Sequence, residues 1–477
     1  MLYDVAIIGG GVVGGLLLRE LSRFDLSLVL LEKENDVAMG ATKANSAIVH
    51  GGFDPVPGTL KAKMNAQGVT MYESLCRELD VPYRNNGSLV LAFSEEEAVS
   101  VRELYDRGIA NGIEGLSVIT GDEARALEPA LAETVVSALR CTTSGIVCPY
   151  ELTFGAIGNA MDNGAELRRD FAVKSITKSG KNFVISDGEE DVTARFVVNC
   201  AGLYADAVAA MLGDSYTVVA KKGEYLIFDK TEGSTVSHTI FQVPTKAGKG
   251  ILVTPTVDGN LMIGPTSERT DKMDGETTAE GLSMVRTTAC KSVPKLNFKK
   301  VITSFSGLRA SCAQSEDFIM EYSGAAGNHA INLVGIESPG LTSAPAIAIY
   351  VRNMLEQAGL VLKEKQDFHP NRVSAHHFSR LSDEEKNAIV RENPKYGHVV
   401  CFCEKITEGE VLEAIHKNPG ATSVDGVKRR TRAGMGSCQG GFCAPVVTAL
   451  LSRELGIPEE EVTKFGGKSK MLLGKAR

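Results

Sequence analysis

Four of the ten cysteines lie in two close pairs near the end of the chain, Cys401-x-Cys403 and Cys438-x4-Cys443. Four thiolates on two loops form a ligand set for a 2Fe-2S cluster. They are also a ligand set for zinc, although structural zinc pairs more often have two to four residues between the cysteines. A free dithiol relay is a third interpretation. The one-residue gap between Cys401 and Cys403 fits zinc less well, and the spacing leaves all three interpretations open.

A second group of residues that could bind a ligand lies at the opposite end of the chain. The apolar stretch "YDVAII" runs into Gly9, Gly11 and Gly14, which are spaced GxGxxG and followed by a helical pattern. This arrangement allows a tight turn, close approach of the backbone to a pyrophosphate, and close packing of the helix on the strand. The next strand, "LSLVLLE", ends at Glu32, whose carboxylate can accept hydrogen bonds from a ribose. We predict a dinucleotide site; the alternative is a glycine-rich turn beside a solvated acid.

Two more strand-to-glycine turns favour FAD over NAD. The first lies in "FVVNCAGLYADAVAAML", at Ala201 and Gly202. The second lies in "AINLVGIESPGLTSAPAIAIYVRNML", where a turn from Ser338 to Gly340 is followed by a helix near Thr342. The N-terminus of a helix directed at an isoalloxazine ring would stabilise the anionic reduced flavin. Three such turns along one chain are typical of a protein that binds FAD.

Candidate catalytic residues lie between these segments. Oxidation of an anionic secondary alcohol by a flavin requires a base for the hydroxyl proton and cations for the anionic group. His50, in a loop beside two glycines, is the candidate base, and Arg309 and Lys249 are the candidate anion clamp. Ser338 adds a hydroxyl group. Taken singly, each residue also has a structural interpretation, as a loop histidine, a solvated cation or a serine that shapes a turn.

Length and charge limit the class of protein. A chain of 477 residues is expected to form at least two domains. With 51 basic and 59 acidic residues the net charge is −8, which argues against nucleic acid or an anionic membrane as the main partner. The N-terminus lacks the pattern of a secretion signal, and the apolar stretch at residues 5–18 is broken by five glycines. We expect a cytoplasmic protein, with peripheral membrane attachment through a partner left open.

The secondary-structure patterns predict how these groups are positioned. "GSLVLAF" reads as a strand before a helix that Ser94 and Glu97 open as a capping box, and Asp258-Gly259 marks a hairpin. The predicted fold is an α/β FAD-binding, Rossmann-like domain interleaved with an α+β substrate domain built on an antiparallel sheet, plus a small C-terminal helical iron–sulfur domain. The predicted boundaries are 1–80, 145–215 and 306–360 for the FAD-binding domain, 81–144 and 216–305 for the substrate domain, 361–398 for a linker, and 399–477 for the iron–sulfur domain and tail.

Two features of the C-terminal third have no assigned chemistry. His376 and His377 lie in the polar linker and are expected to be solvated. The basic run from Lys428 to Arg432 precedes the second cysteine pair. We interpret this run as a counter-charge for an anionic cluster or a partner, with a solvated face as the alternative.

Several longer stretches carry a family resemblance. The segments "ANSAIVHGGFDPVPGTLKAK", "VPTKAGKGILVTPTVDGNLMIGPT", "SFSGLRA" and "ESPGLTSAPAI" resemble flavoenzymes of the D-amino-acid-oxidase type. Within that group they are similar to the glycerol-3-phosphate oxidases and dehydrogenases and to the 2-hydroxyglutarate oxidases. The segment "VKRRTRAGMGSCQGGFCAP" resembles 2Fe-2S domains of the bacterioferritin-associated-ferredoxin type, as in the A subunit of anaerobic glycerol-3-phosphate dehydrogenase.

The resemblance implies a function and a set of site residues. It implies oxidation of sn-glycerol 3-phosphate to dihydroxyacetone phosphate, with electrons leaving through the 2Fe-2S cluster to a redox partner protein or a quinone-linked acceptor. It places functional residues at His50, Lys249 and Arg309. The alternatives are a 2-hydroxy-acid dehydrogenase, an amine or opine oxidase, and an electron-transfer or redox-sensing protein that is not an enzyme. The expected FAD contacts are Gly9, Gly11, Val12, Val13, Gly14, Glu32, Lys33, Thr42, Asn45, Ser46, Val173, Ala201, Gly202, Gly307, Gly335, Gly340, Leu341 and Thr342.

Overall fold

The computed structural model describes residues 1–244 and 250–474. Its strands, in chain order, are β1 (Leu2–Ile8), β2 (Leu28–Leu31), β3 (Ile48–Val49), β4 (Tyr83–Arg84), β5 (Ser88–Ala92), β6 (Leu116–Thr120), β7 (Ser137–Cys141), β8 (Gly145–Val147), β9 (Glu166–Arg168), β10 (Ser175–Ser179), β11 (Asn182–Ser186), β12 (Asp191–Asn199), β13 (Val218–Phe228), β14 (Thr239–Gln242), β15 (Leu252–Pro255), β16 (Leu261–Gly264), β17 (Glu268–Thr270), β18 (Val301–Cys312), β19 (Ile319–Ser323), β20 (Gly327–Val334), β21 (Val399–Cys401) and β22 (Ile406–Thr407).

The helices are α1 (Val12–Leu21), α2 (Leu60–Val69), α3 (Tyr72–Glu78), α4 (Glu95–Ala110), α5 (Gly121–Leu127), α6 (Pro149–Asp162), α7 (Ala205–Met211), α8 (Ala279–Ser292), α9 (Gly340–Gln357), α10 (Asp383–Glu392), α11 (Glu408–His416), α12 (Val424–Thr431) and α13 (Ala444–Leu455). Within the described ranges, no helix combines the length and the apolar character needed to cross a bilayer.

The first sheet carries the predicted Rossmann-like domain. Its strand order is β10-β11-β12-β1-β2-β9, with β20 beside β12 and β19 beside β20. Strands β9, β2, β1, β12 and β20 run parallel to one another, whereas β11 and β19 are antiparallel to β12 and β20, respectively. Helices α1, α6 and α9 pack over this sheet, and Leu17 and Ile347 of the shared core are fully buried. Strand β2 is apolar and buried along its length, as expected for a parallel strand covered on both faces.

The second sheet is largely antiparallel, as predicted. Its order is β17-β13-β16-β15-β14-β5-β7-β6, with β18 paired to β13. Strands β15 and β16 form the predicted hairpin, in which Gly259 has φ +87°. Strand β18 pairs with β13 from Val301 to Cys312, so the domain boundary expected at residue 306 falls within one continuous strand.

The linker packs against its neighbours, and the expectation that His376 is solvated is wrong, whereas the His377 side chain remains partly exposed. His376 is buried and lies 3.3 Å from the Glu410 carboxylate through Nδ1, while His377 pairs with Asp80 at 2.8 Å. Arg372 binds Asp162 of α6 and a backbone carbonyl of the C-terminal domain. These contacts tie the segment to the domains on both sides.

The C-terminal domain consists of a short hairpin and three helices. Strands β21 and β22 pair next to the first cysteines, and α11 begins with a capping box between Thr407 and Glu410. Val411, Leu412 and Ile415 are buried on α11. The core of the domain closes over these residues with α12 and α13.

Candidate active site and cluster centre

A cleft of about 1010 Å³ lies between the two sheets. This volume is at the upper end of the range for cofactor pockets. Its walls come from the glycine turn after β1, the loop after β2, strands β13 and β18, and the start of α9. The predicted residues that line it are Gly9, Gly11, Val12, Val13, Glu32, Lys33, Thr42, Asn45, Ser46, His50, Val173, Ala201, Gly202, Gly307, Arg309, Ser338, Gly340, Leu341 and Thr342.

The glycine turn has the tight packing that its spacing predicts. Gly9 has φ +112°, and a Cβ there would lie 2.5 Å from the Cys200 carbonyl oxygen. A Cβ at Gly14 would overlap the Gly9 carbonyl oxygen, so Gly14 lets α1 pack closely on β1 and does not line the cleft. Gly335 is also outside the lining; it has φ +70° and lies beside Cys312. A direct FAD contact remains a prediction for Gly14 and Gly335.

The acid at the end of β2 is built into the nucleotide loop. Glu32 is buried, and its two carboxylate oxygens accept the Gly10 N–H at 2.7 Å and the Glu34 N–H at 3.0 Å. Burial raises the pKa of this carboxyl above its ordinary value despite these two bonds. Each oxygen retains a lone pair for a ribose hydroxyl. Thr42 accepts the Val12 N–H at 3.0 Å, so one N–H group expected to face the phosphates has a protein partner instead.

His50 is held in position at the cleft wall by its backbone. Its N–H donates to the Thr342 hydroxyl at 2.7 Å, and its carbonyl accepts from Asn65 at 2.7 Å. The imidazole Nδ1 accepts the Gly52 N–H at 3.1 Å. A neutral ring that accepts at Nδ1 carries its proton on Nε2. The hydrogen-bond pattern therefore determines which nitrogen bears the proton.

Arg309 is a cleft cation that has no counter-ion among the described residues. It lies on β18 opposite Lys221, is half-buried, and lines the cleft. Across residues 1–244 and 250–474, the Arg309 guanidinium forms no ion pair within 4.0 Å and no side-chain hydrogen bond. Ser338 precedes α9 and lines the same cleft. Lys249 lies outside the described residues.

Glu337 and Tyr225 also line the cleft and were not predicted as site residues. Glu337 accepts from Lys61 Nζ at 3.0 Å and from the Ser311 hydroxyl. Burial acts to raise the pKa of Glu337, but Lys61 and Ser311 outweigh it and the pKa is lowered. Ser46 and Tyr225 join the loop to the second sheet through a hydroxyl contact of 3.1 Å. Lys61 lies in the segment "ANSAIVHGGFDPVPGTLKAK", but its partner Glu337 is 276 residues away, so the local sequence does not indicate their pairing.

The four C-terminal cysteines meet as two pairs. Cys403 Sγ lies 3.5 Å from Cys438 Sγ, and the Cys401 and Cys443 thiols contact each other. Cys401 and Cys443 are buried, whereas Cys403 is exposed. Backbone N–H groups converge on these sulfurs, those of Gly440, Gly441 and Phe442 on Cys438 and those of Gly434 and Glu404 on Cys401.

The surroundings of Cys401 and Cys438 lower the pKa of their thiols and so favour the thiolate, the form that binds metal. Hydrogen bonding to Cys443 outweighs burial and lowers the pKa of Cys401 to about 6, whereas the pKa of Cys443 is raised. In the described part of the chain, no three His, Cys, Asp or Glu side chains come together as ligands of one metal ion. Two separate pairs with converging N–H donors fit a 2Fe-2S cluster better than a single zinc ion.

A buried acid lies where the first and third domains meet. Glu151, at the start of α6, is buried, and neither carboxylate oxygen has a hydrogen-bond partner. Burial and then the charge of Asp258 raise the pKa of Glu151 to about 7. The neighbouring Tyr150 hydroxyl contacts Met435, in the loop that leads to the second cysteine pair, at 3.7 Å.

The basic run is neither a free counter-charge nor a solvated face. Arg429 and Arg430 are buried against Asp36 of the nucleotide loop. Arg432 pairs with Asp258 at 2.6 Å and with Glu404 at 2.8 Å. These arginines therefore join the C-terminal domain to the other two, and our interpretation of the run as a counter-charge for the cluster or a partner was wrong.

Comparisons with protein families cover most of the chain. The model of the FAD dependent oxidoreductase family (DAO) matches residues 4–354, and that of the BFD-like [2Fe-2S] binding domain matches residues 399–453. FAD and a 2Fe-2S cluster are therefore the cofactors of this protein.

Individual relatives agree with the family models. The chain is 45% identical over 475 residues to the glycerol 3-phosphate dehydrogenase of Caloramator mitchellensis, covering 99% of this chain and 98% of the relative. It is 32% identical to the mitochondrial L-2-hydroxyglutarate dehydrogenase of Mus musculus, over 56% of this chain and 61% of the relative. The FAD-bound L-α-glycerophosphate oxidase of Mycoplasma pneumoniae superimposes with a TM-score of 0.75 at 29% identity, over 78% of this chain and 99% of the oxidase.

Proposed function

The chain belongs to the FAD dependent oxidoreductase family, and we propose that it oxidises sn-glycerol 3-phosphate to dihydroxyacetone phosphate and passes the electrons through its cluster to a partner protein. FAD supplies the hydride acceptor, and the 2Fe-2S cluster supplies a one-electron carrier. The cleft residues from Gly9 to Thr342 would hold the flavin, and Cys401, Cys403, Cys438 and Cys443 the cluster.

The observation that carries the proposal is the state of Arg309. A guanidinium that lines a cleft and has no carboxylate partner in residues 1–244 and 250–474 is suited to bind an anionic ligand, and its planar fork matches a phosphate with two parallel hydrogen bonds. Lys249 would add a second positive charge from its family motif. With the anion held by these cations, the secondary alcohol carbon would be presented to the flavin.

His50 would receive the hydroxyl proton as the C–H bond gives up its hydride. Because the Gly52 N–H donates to Nδ1, the neutral ring carries its proton on Nε2. Acceptance of a proton at Nε2 therefore requires the ring proton to move to Nδ1 and the bond to Gly52 to break. Before that change, Nε2–H can donate to the alcohol oxygen and orient it. Ser338 would assist orientation from the turn before α9.

This role for His50 has a specific test. His50→Gln keeps a hydrogen-bond donor but lacks a base, whereas His50→Ala lacks both. We expect both variants to bind substrate and to lose the rise of kcat with pH that a titrating base produces. A Gln variant with the activity and pH profile of the wild type would restrict His50 to orienting the alcohol.

The exposed side of the cysteine site supports an electron outlet to a partner. Cys403 faces solvent, and Phe402 and Phe442, each adjacent to a cluster cysteine, are 78% and 80% exposed. Large apolar side chains at a surface are characteristic of protein contacts. The partner in this proposal is a protein that accepts single electrons, such as a quinone-linked reductase.

A 2-hydroxy acid is the competing substrate, because a carboxylate also suits Arg309. The similarity to L-2-hydroxyglutarate dehydrogenase supports it over about half of this chain. The similarity to a glycerol 3-phosphate dehydrogenase over 99% of the chain, including the cysteine domain, favours the phosphate.

Product analysis tests the proposed reaction. The purified protein is incubated with an artificial electron acceptor and, separately, sn-glycerol 3-phosphate or L-2-hydroxyglutarate. We expect dihydroxyacetone phosphate to form at a rate at least tenfold above that of 2-oxoglutarate. The opposite ratio would show that the flavin-dependent oxidation acts on L-2-hydroxyglutarate in place of sn-glycerol 3-phosphate.

A further inference from the structure

The third domain packs directly on the loop that wraps the nucleotide site. This loop, residues 32–45, connects β2 to the floor of the cleft. Ala38 N–H donates to the Gly10 carbonyl at 2.8 Å, and Thr42 accepts the Val12 N–H at 3.0 Å. The loop therefore forms backbone and side-chain bonds to the glycine turn on which a pyrophosphate would lie.

Asp36 is the point at which this loop meets the cysteine domain. Its side chain is fully buried and accepts the Val37 N–H at 2.9 Å through Oδ1. Arg430 donates from Nη2 to Oδ1 at 2.7 Å and from Nη1 to Oδ2 at 2.8 Å, and Arg429 donates to Oδ2 at 2.9 Å. Two guanidinium groups therefore neutralise one buried carboxylate from across a domain boundary.

Both arginines belong to the cysteine domain. They lie on α12, which ends at Arg432 in a left-handed conformation six residues before Cys438. Arg430 also donates to the Pro419 carbonyl at 2.9 Å and lies 4.0 Å from the ring centre of Phe154. The backbone N–H of Gly434, between α12 and Cys438, binds the Cys401 sulfur. Short covalent and hydrogen-bonded segments thus connect the cluster ligands to the Asp36 contact.

The FAD-binding domain meets the cysteine domain at other points as well. A Cβ at Gly466 would overlap Asn35 of the nucleotide loop, and Arg169, directly after β9, donates to the Gly420 carbonyl at 2.7 Å. No gap therefore separates the two domains at these positions.

We infer that the two cofactor sites are thermodynamically coupled, with Asp36 as the positioning residue that links cluster binding to FAD binding. Metal binding contributes directly to the folding of small metal domains, because the ligand loops are not preformed without it. When the cluster is lost, the α12 arginines lose their fixed position, and a buried Asp36 carboxylate left unpaired is costly. The loop then moves to hydrate Asp36, and the wall of the FAD site moves with it.

The coupling must be reciprocal. If the cluster strengthens FAD binding by a given factor, FAD must strengthen cluster binding by the same factor. Couplings of this kind typically amount to 5- to 150-fold. This inference holds whichever alcohol the protein oxidises, since it concerns cofactor retention and requires no substrate.

The experiment measures the FAD dissociation constant of the full chain from the fluorescence of released flavin. It compares holoprotein with protein whose cluster has been removed anaerobically by a chelator. We expect the constant to rise 5- to 150-fold on cluster removal, and amide hydrogen exchange to increase in residues 33–45 but not in β1. In Asp36→Asn we expect weak FAD binding that no longer responds to the cluster.

Arg453→Gln is the matched control, because Arg453 is a surface arginine of the same domain whose ion pairs, within the described part of the chain, are with Glu408 and Glu454 of that domain. We expect it to respond to cluster removal as the wild type does. The inference is overturned if cluster removal from wild-type protein changes the FAD dissociation constant less than twofold, or if Asp36→Asn responds like the control. The wild-type comparison decides the question even if Asp36→Asn folds poorly.

Discussion

Replacement of Arg309 by alanine should weaken substrate binding while leaving FAD bound. Arg309 has no ion pair to any described residue, so its removal leaves no protein carboxylate without a partner. The loss is then confined to its contacts with the substrate phosphate. Hydrogen bonds to charged groups contribute about 1.5–3 kcal/mol, which corresponds to a fall in kcat/KM of about 10- to 150-fold.

The assay is steady-state kinetics with sn-glycerol 3-phosphate and an artificial acceptor, together with the flavin spectrum. Because the phosphate is held equally in the ground and transition states, most of the effect should appear as a raised KM. Arg309→Lys should recover part of the loss, since it keeps the charge but not the planar fork. Arg269→Ala, an exposed arginine on β17 of the same sheet, is the control. An unchanged KM in Arg309→Ala would refute the assignment.

Three further predictions follow from local geometry. Gly307→Ala on β18 should reduce FAD content, because a Cβ there would overlap the Ala44 carbonyl oxygen of the nucleotide loop. Gly40→Ala, in the nucleotide loop itself, is the control, because a Cβ at Gly40 would meet nothing within 4 Å. Equal FAD content in the two variants would contradict this prediction. Cys438→Ser should abolish electron delivery to a protein acceptor but spare reduction of the flavin by substrate in anaerobic mixing; retained delivery would remove the cluster from the electron path. Glu151 has a pKa raised from 4.5 to about 7 in the folded state, so the wild type should lose stability as pH rises from about 4.5 to 7. Glu151→Gln should lack this loss, and urea unfolding at pH 5 and pH 8 measures the difference; the same pH dependence in both proteins would contradict the assignment.

The sequence predicted those features that depend on local pattern. Glycine spacing located the turn after β1, since Gly9 needs a positive φ and Gly14 needs close packing. Apolar runs predicted strands β1 and β2, and Asp258-Gly259 predicted the hairpin of the second sheet. In each case the structural requirement is met by residues within a few positions of one another.

Features that depend on distant pairing were not predictable from the sequence. The basic run appeared to be a surface feature, because its partner Asp36 is 394 residues from Arg430. His376 appeared to be solvated because nothing near it in the chain indicates that Glu410 lies beside it. The neighbours of a charged residue in a polar segment do not show whether it will be buried. These residues become buried because the third domain packs against the other two.

The most direct test of the central claim is an anaerobic spectrum of the holoprotein mixed with sn-glycerol 3-phosphate, and separately with L-2-hydroxyglutarate. The account predicts that the phosphate bleaches the flavin absorbance and then the iron–sulfur absorbance, while the hydroxy acid leaves both unchanged over the same time. Bleaching by the hydroxy acid alone, or by neither compound, would contradict it.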